Sequence, residues 1–208
     1  MTKEQLEINR YSPYFDLCVI PKLHALALSS LSRIPTTFPL QVNYLYCKKI
    51  QGTFISNFIA QNVLLFDSSI TAYSDIVKTL FVHNNCVTNC VYCDTLPNFP
   101  NLQCLELRGD YILNMDRILE KYPQLTFLEI RCKDINFIDA LKSFKHKLVI
   151  TCLELVDITC FSILQCLELD LSGCPKIQDF SFVAHIPIVT CKNKIPVFSS
   201  VSHIPMQK

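Results

Sequence analysis

Apolar residues recur along the chain in a short fixed frame, Leu-x-x-Leu-x-Leu. The phrase Leu-Gln-Cys-Leu-Glu-Leu stands at residues 102–107 and again, letter for letter, at residues 164–169. LTFLEI at residues 125–130 and ITCLEL at residues 150–155 fit the same frame, so the phrases begin 23, 25 and 14 residues apart. Alternation of apolar and polar positions predicts strands with one buried face. It places Leu128 and Leu153 in the core. Looser copies precede these: Leu23, Leu26, Leu28 and Leu31, then Val42, Leu45, Cys47 and Ile50, then a unit around Leu64 and Phe66. Pro35 and Pro39 break the chain between the first two. Between the strand phrases the spacing changes. Met115, Ile118, Leu119 and Tyr122 follow i, i+3, i+4, i+7, as on one face of a helix that Pro123 stops. Phe137, Ala140, Leu141 and Phe144 repeat the pattern one unit later.

The segment 71–99 is the least regular. Ser74 suits the N-cap of a short helix carrying Ile76, Val77 and Leu80. The same residues also fit a strand frame, Val77, Leu80, Val82, Asn85 and Val87, and the sequence leaves both open. Residues 1–22 match no unit and read as a cap. Residues 23–195 hold about eight irregular units, and 196–208 read as a tail, the whole forming a single domain. The last clear unit runs through Leu169, Leu171, Cys174, Ile177 and Asp179; a weak one follows at Ile186, Val189 and Cys191.

A frame of this kind repeated about every 20–29 residues is the signature of leucine-rich repeats, and the chain resembles that family over roughly residues 20–195. The resemblance implies an α/β fold: a leucine-rich repeat solenoid with a curved parallel sheet on its concave side and short helices and loops on its convex side. The usual ladder asparagine is mostly absent; Asp110, Lys133 and Ile158 stand near that position, and Cys174 replaces it in the last unit. That unit is similar to the cysteine-containing subclass, and to repeats in substrate-recruiting ubiquitin-ligase adaptors. By analogy the chain is expected to be a non-catalytic protein-interaction module that binds a protein partner on the concave face. An adaptor role in ubiquitin-ligase substrate recruitment is the related alternative.

Charge adds little pull towards any class of polymer. Nineteen basic residues meet 18 acidic ones, a net charge of +1, so neither nucleic acid nor an anionic membrane is an expected partner. The N-terminal residues MTKEQLEINR contain no apolar core of a signal peptide. Twelve cysteines then read as buried thiols of a cytoplasmic protein rather than a disulfide framework. No Gly-rich phosphate loop, G-x-S-x-G or H-E-x-x-H occurs, and neither catalysis nor a cofactor is expected.

One stretch carries possible metal chemistry. Cys86-x3-Cys90-x2-Cys93, with Tyr92 before the last thiol, looks like the cluster-binding loop of radical S-adenosylmethionine enzymes, where three thiolates hold an iron–sulfur cluster. With His83 the same residues supply four ligands suited to zinc. Against the cluster, only three glycines occur in the chain and most residues after Cys93 belong to repeat phrases.

In the Leu-x-x-Leu-x-Leu frame the residue between the last two leucines points away from the core. In order it is Ala27, Tyr46, Glu106, Glu129, Glu154 and Glu168. The position two later gives Arg108, Arg131, Val156 and Asp170; the position two earlier gives Cys104, Phe127, Cys152 and Cys166. The expected partner-binding set on the concave face is therefore Tyr46, Glu106, Arg108, Phe127, Glu129, Arg131, Glu154 and Glu168. A column of four glutamates suits a basic segment or helix, although a solvated sheet face needs no partner at all. A shift of frame at Leu164 would bring Asp170 to the level of the glutamates and keep the sign.

Overall fold

The computed structural model describes residues 5–8, 23–29, 41–49, 51–53, 59–71, 73–84 and 89–191. The expected tail, the Pro35–Pro39 break, Asn85, Cys86 and Val87 lie outside the described residues. In chain order the elements are β1 (Gln5–Ile8), β2 (Leu23–Ser29), β3 (Gln41–Lys48), β4 (Gln51–Thr53), β5 (Ile59–Phe66), β6 (Ser69–Thr71), β7 (Thr79–His83), β8 (Cys90–Tyr92) and β9 (Cys104–Arg108). After these come β10 (Tyr111–Leu113), α1 (Ile118–Lys121), β11 (Phe127–Arg131), β12 (Lys147–Thr151), β13 (Glu168–Asp170) and β14 (Ile188–Thr190). Among the described residues ten strands form one parallel sheet in the order β1-β2-β3-β5-β7-β9-β11-β12-β13-β14. Two short parallel pairs, β4 with β6 and β8 with β10, stand beside it. The sheet is repeat-like: each strand lies beside the next unit's strand. The expected cap contributes β1, whose Leu6 pairs with Leu26.

Two rows of side chains on one face make the core. The first runs Leu26, Leu45, Val63, Leu80, Leu105, Leu128, Leu148, Leu169; the second runs Leu28, Cys47, Leu65, Val82, Leu107, Ile130, Ile150. Every one of these is buried. Burying such a side chain contributes about 1.5–3 kcal/mol. A one-residue slip would turn a strand's whole set outward, so the register is strongly fixed.

That requirement overrides the literal phrase at two places. ITCLEL at residues 150–155 is not a strand phrase: β12 takes Lys147–Thr151, with Leu148 and Ile150 in the core. Leu153, expected inside, is 63% exposed, and Leu155 is half-buried against the core. Fourteen residues before the next phrase leave too little chain for a strand, a return and a turn. Pairing Leu128 with Leu148 and Leu148 with Leu169 restores steps of 20 and 21 residues. The two copies of Leu-Gln-Cys-Leu-Glu-Leu also enter the sheet differently. Leu107 ends the first copy in the second core row, whereas Leu169 ends the other copy level with Leu105 in the first row. The offset is two residues, so side-chain parity survives.

Return segments are tighter than the expected helices. They are 3₁₀ turns at Met115–Arg117, Ile138–Leu141, Thr159–Ile163 and Ser181–Val183, with one α-helical turn at α1. Their buried residues explain it: Ile158, Phe161 and Leu164, then Ile177, Phe180, Val183 and Ile186, recur every third position. In a 3₁₀ helix i and i+3 fall on one line. Two turns begin on an aspartate, the Asp157 carboxylate accepting from the Thr159 N–H and Asp179 from Ser181, each at 2.8 Å. Beneath α1 the buried Tyr122 hydroxyl donates to the Pro97 carbonyl at 2.6 Å. Residues 74–83 resolve to the strand frame, with Val77, Leu80 and Val82 buried; Ser74 is buried and accepts from the Ile76 N–H at 3.3 Å.

Thiols link the backbones of neighbouring units. Cys174 Sγ donates to the Ile150 carbonyl at 3.2 Å and accepts from the Cys152 N–H at 3.3 Å. Cys152 Sγ donates to the Lys133 carbonyl at 3.2 Å. Both thiols are buried, and the Ile150 carbonyl and Cys152 N–H that Cys174 satisfies lie in buried hydrogen bonds.

Candidate functional site: the open face of the sheet

Side chains opposite the core rows form three columns, because strands in register stand about 4.8 Å apart and alternate residues share a face. The middle column reads Tyr46, Leu64, Phe81, Glu106, Glu129, Val149 and Asp170. Towards the strand starts runs Tyr44, Asn62, Thr79, Cys104, Phe127, Lys147 and Glu168. Towards the strand ends runs Lys48, Phe66, His83, Arg108, Arg131 and Thr151. Most of these residues are half-buried; Lys48 and Arg108 are exposed. The face therefore changes character across the sheet. From β3 to β7 it is aromatic and aliphatic, and from β9 to β13 it is charged.

Six of the expected residues stand on this face: Tyr46, Glu106, Arg108, Phe127, Glu129 and Arg131. Glu168 stands there too, one column nearer the strand starts, beside Lys147. Glu154 does not. It follows β12 in an exposed turn, where it pairs with Lys176, and Val149 occupies its place beside Glu129. The column of four glutamates thus reduces to Glu106 and Glu129, with Asp170 beyond Val149. The frame around Leu64 and Phe66 predicts both inside, and the structure reverses it. Val63 and Leu65 are the core residues, and Leu64 and Phe66 point to the open face. Either parity of Asn-Val-Leu-Leu-Phe is apolar, so alternation alone could not choose; the pairing of Leu45 with Val63 does.

The acids on this face find bases within the chain. Arg131 Nη2 lies 2.6 Å and Nε 2.7 Å from Glu129 Oε1, and Nε lies 3.7 Å from Glu106 Oε1. Lys147 reaches Glu168 at 2.5 Å, and Asp110 at the strand ends meets Lys133 at 2.6 Å. Burial raises the Glu106 carboxyl above its ordinary range, the charge of Glu129 adds to that, and Arg131 and Arg108 oppose it. His83 is held below its ordinary value by burial and by the charge of Arg108, with Asp67 opposing. Its ring meets Phe66 edge-on at 5.7 Å. A groove of about 400 Å³ opens at the strand ends, with His83, Arg108, Arg131, Lys133, Asp110 and Glu154 in its lining.

Of the suspected metal loop, His83, Cys90 and Cys93 are described. His83 belongs to the open face, and Cys90 is half-buried in β8. Cys93 is buried with its Sγ 3.8 Å from Met115 Sδ, and burial, with a smaller push from Asp94, drives its thiol up to about 12. Cys86 lies outside the described residues. No group of three His, Cys, Asp or Glu side chains among the described residues is arranged to hold a metal ion. No helix among them is long and apolar enough to cross a membrane. Comparison with protein-family models, with curated proteins and with solved structures finds no match.

Proposed function

We propose that the chain is an irregular solenoid of the leucine-rich repeat type and that its open face docks a protein partner. An all-parallel sheet ordinarily has both faces covered; a repeat-like sheet with one packed face and one open face is the arrangement a solenoid uses for binding. The observation that carries the reading is the in-register run Tyr46, Leu64, Phe81, flanked by Tyr44 and Phe66, on the face opposite the core. Nothing in the core needs these five side chains there. Aromatic and aliphatic anchors of this kind dominate interface energies.

The role is binding rather than chemistry. Burial pushes the thiols of Cys47 and Cys132 up to about 12, well away from a nucleophilic thiolate. The hydrogen bonds of Cys152 and Cys174 require thiols, which suits a reducing cytoplasmic setting. Four stacked glutamates would suit a basic partner segment; only Glu106 and Glu129 stand in that column, and Arg131 holds both.

The test is affinity capture with face variants. Phe81→Asp is expected to abolish capture of proteins held by the wild-type chain, while Lys142→Glu with Lys145→Glu, on exposed residues of a return segment, leaves it intact. The opposite pattern would place binding on the return-segment side.

A further inference from the structure

The charges of the open face are not spread at random. The column at the strand ends, Lys48, Phe66, His83, Arg108, Arg131 and Thr151, contains four basic side chains and no acid. Acids of the face sit one or two columns back: Glu106 and Glu129 are committed to Arg131 and Glu168 to Lys147, and the Asp170 carboxylate accepts from the Ser172 N–H at 2.8 Å. At the strand ends Asp110 is committed to Lys133 and Glu154, which also lines the groove, to Lys176, and the charge of Asp67 acts on the His83 imidazole. Arg108 differs from its neighbours. It is exposed, it lines the groove, and among the described residues it makes no ion pair. On one side of it stands His83, in contact with Phe66, and behind His83 stand Phe81 and Leu64. A planar guanidinium with free donors is shaped for a carboxylate, which it binds through two parallel hydrogen bonds.

We propose that this rim is an anion seat, and that the partner segment carries an Asp or Glu side chain for Arg108 next to an apolar side chain for Phe66, Phe81 and Leu64. The inference rests on the docking role argued above and specifies the chemistry of the partner. Two features select a peptide carboxylate. The seat adjoins an apolar surface that the same ligand must cover, and Glu106 and Glu129 directly behind it repel any ligand with charge on all sides. A basic segment would meet Lys48 and Arg108 first, and Glu106 and Glu129 behind them already hold Arg131. Seating a carboxylate beside His83 also opposes the effect of Arg108 on that imidazole, so binding raises its pKa.

The experiment uses a random peptide library displayed on phage and selected against the full chain. Enriched peptides are synthesised and their dissociation constants measured for wild type, Arg108→Gln and Phe81→Asp, with circular dichroism to show that each variant is folded. The expected peptides place Asp or Glu beside an aromatic or branched aliphatic residue. They weaken about tenfold with Arg108→Gln, weaken at least as much with Phe81→Asp, and raise the His83 pKa in a proton NMR titration. Peptides that lack an acid, or that bind Arg108→Gln as well as wild type, overturn the anion seat; if they still fail on Phe81→Asp, the docking face survives. Peptides indifferent to both variants, or no enrichment at all, overturn both readings.

Discussion

Glu106 and Glu129 stand directly opposite each other on β9 and β11, and a single guanidinium, that of Arg131, reaches both. Two carboxylates in register on adjacent strands repel; burial first, and the charge of Glu129 after it, raise the Glu106 carboxyl above its ordinary range, while Arg131 and Arg108 oppose them. A group with a raised carboxyl pKa holds its proton more tightly in the fold than in the unfolded chain. Its contribution to stability is greatest in acid and is lost as pH rises through the folded value. Glu106→Gln is therefore expected to change stability at neutral pH by less than about 0.5 kcal/mol and to flatten the pH profile above the ordinary carboxylate range. Arg131→Gln should push the Glu106 carboxyl still higher. Carbon-detected NMR titration of the side-chain carboxyls checks both.

The register of β12 makes a second prediction. Leu128→Ala removes a fully buried side chain from the first core row and is expected to cost about 2–5 kcal/mol. Leu153→Ala alters a residue that is 63% exposed and should cost less than about 0.5 kcal/mol. Leu148→Ala should behave like Leu128→Ala. Urea melts of the three variants give the ranking; a Leu153 cost equal to that of Leu128 would return the strand to residues 150–155.

Cys174 should matter through its hydrogen bonds rather than its reactivity. Cys174→Ala leaves the buried Cys152 N–H without its acceptor and should cost about 1–3 kcal/mol. Cys174→Ser keeps a donor and an acceptor and should recover part of that loss. Equal destabilisation by both, in thermal melts under reducing conditions, would show that sulfur packing alone is at stake. The neighbouring Gly173 allows no side chain: a Cβ there would lie 2.4 Å from Thr151 Oγ1. Gly173→Ala is expected to cost about 1–3 kcal/mol.

His83 offers a pH readout of its surroundings. Its pKa lies below 6.5 through burial and the charge of Arg108. The fold therefore favours the neutral ring, and the stability it contributes is present above the unfolded value of 6.5 and lost as pH falls through the folded one. Arg108→Gln should move the imidazole pKa upward; an unchanged value would mean that burial accounts for the whole displacement.

The sequence discloses the fold where its phrases are spaced by a full unit. Leu105 and Leu128, 23 residues apart, pair in the sheet as the frame requires, and the outward set Glu106, Arg108, Phe127, Glu129 and Arg131 follows from them. It misleads where local similarity and chain length disagree. Residues 150–155 copy the phrase well, yet only Leu148 and Ile150 sit at the distance a return segment needs. The 14-residue gap was the signal. Around Leu64, four apolar residues in succession leave parity undecided, and with parity goes the aromatic half of the open face. Ion pairs such as Arg131 with Glu106 and Lys147 with Glu168 join different units, and no pattern within one unit contains them.

The docking claim is tested most directly by hydroxyl-radical footprinting of the chain, free and bound to the partner that the wild type captures. Tyr46, Phe66, Phe81 and Phe127 share the open face, whereas Tyr73, Tyr92 and Tyr111 are exposed elsewhere, at 64%, 45% and 46%. Oxidation of the first four is expected to fall on binding while the three tyrosines are oxidised as before. Protection of Tyr73, Tyr92 and Tyr111, with Phe66 and Phe81 unchanged, would contradict it.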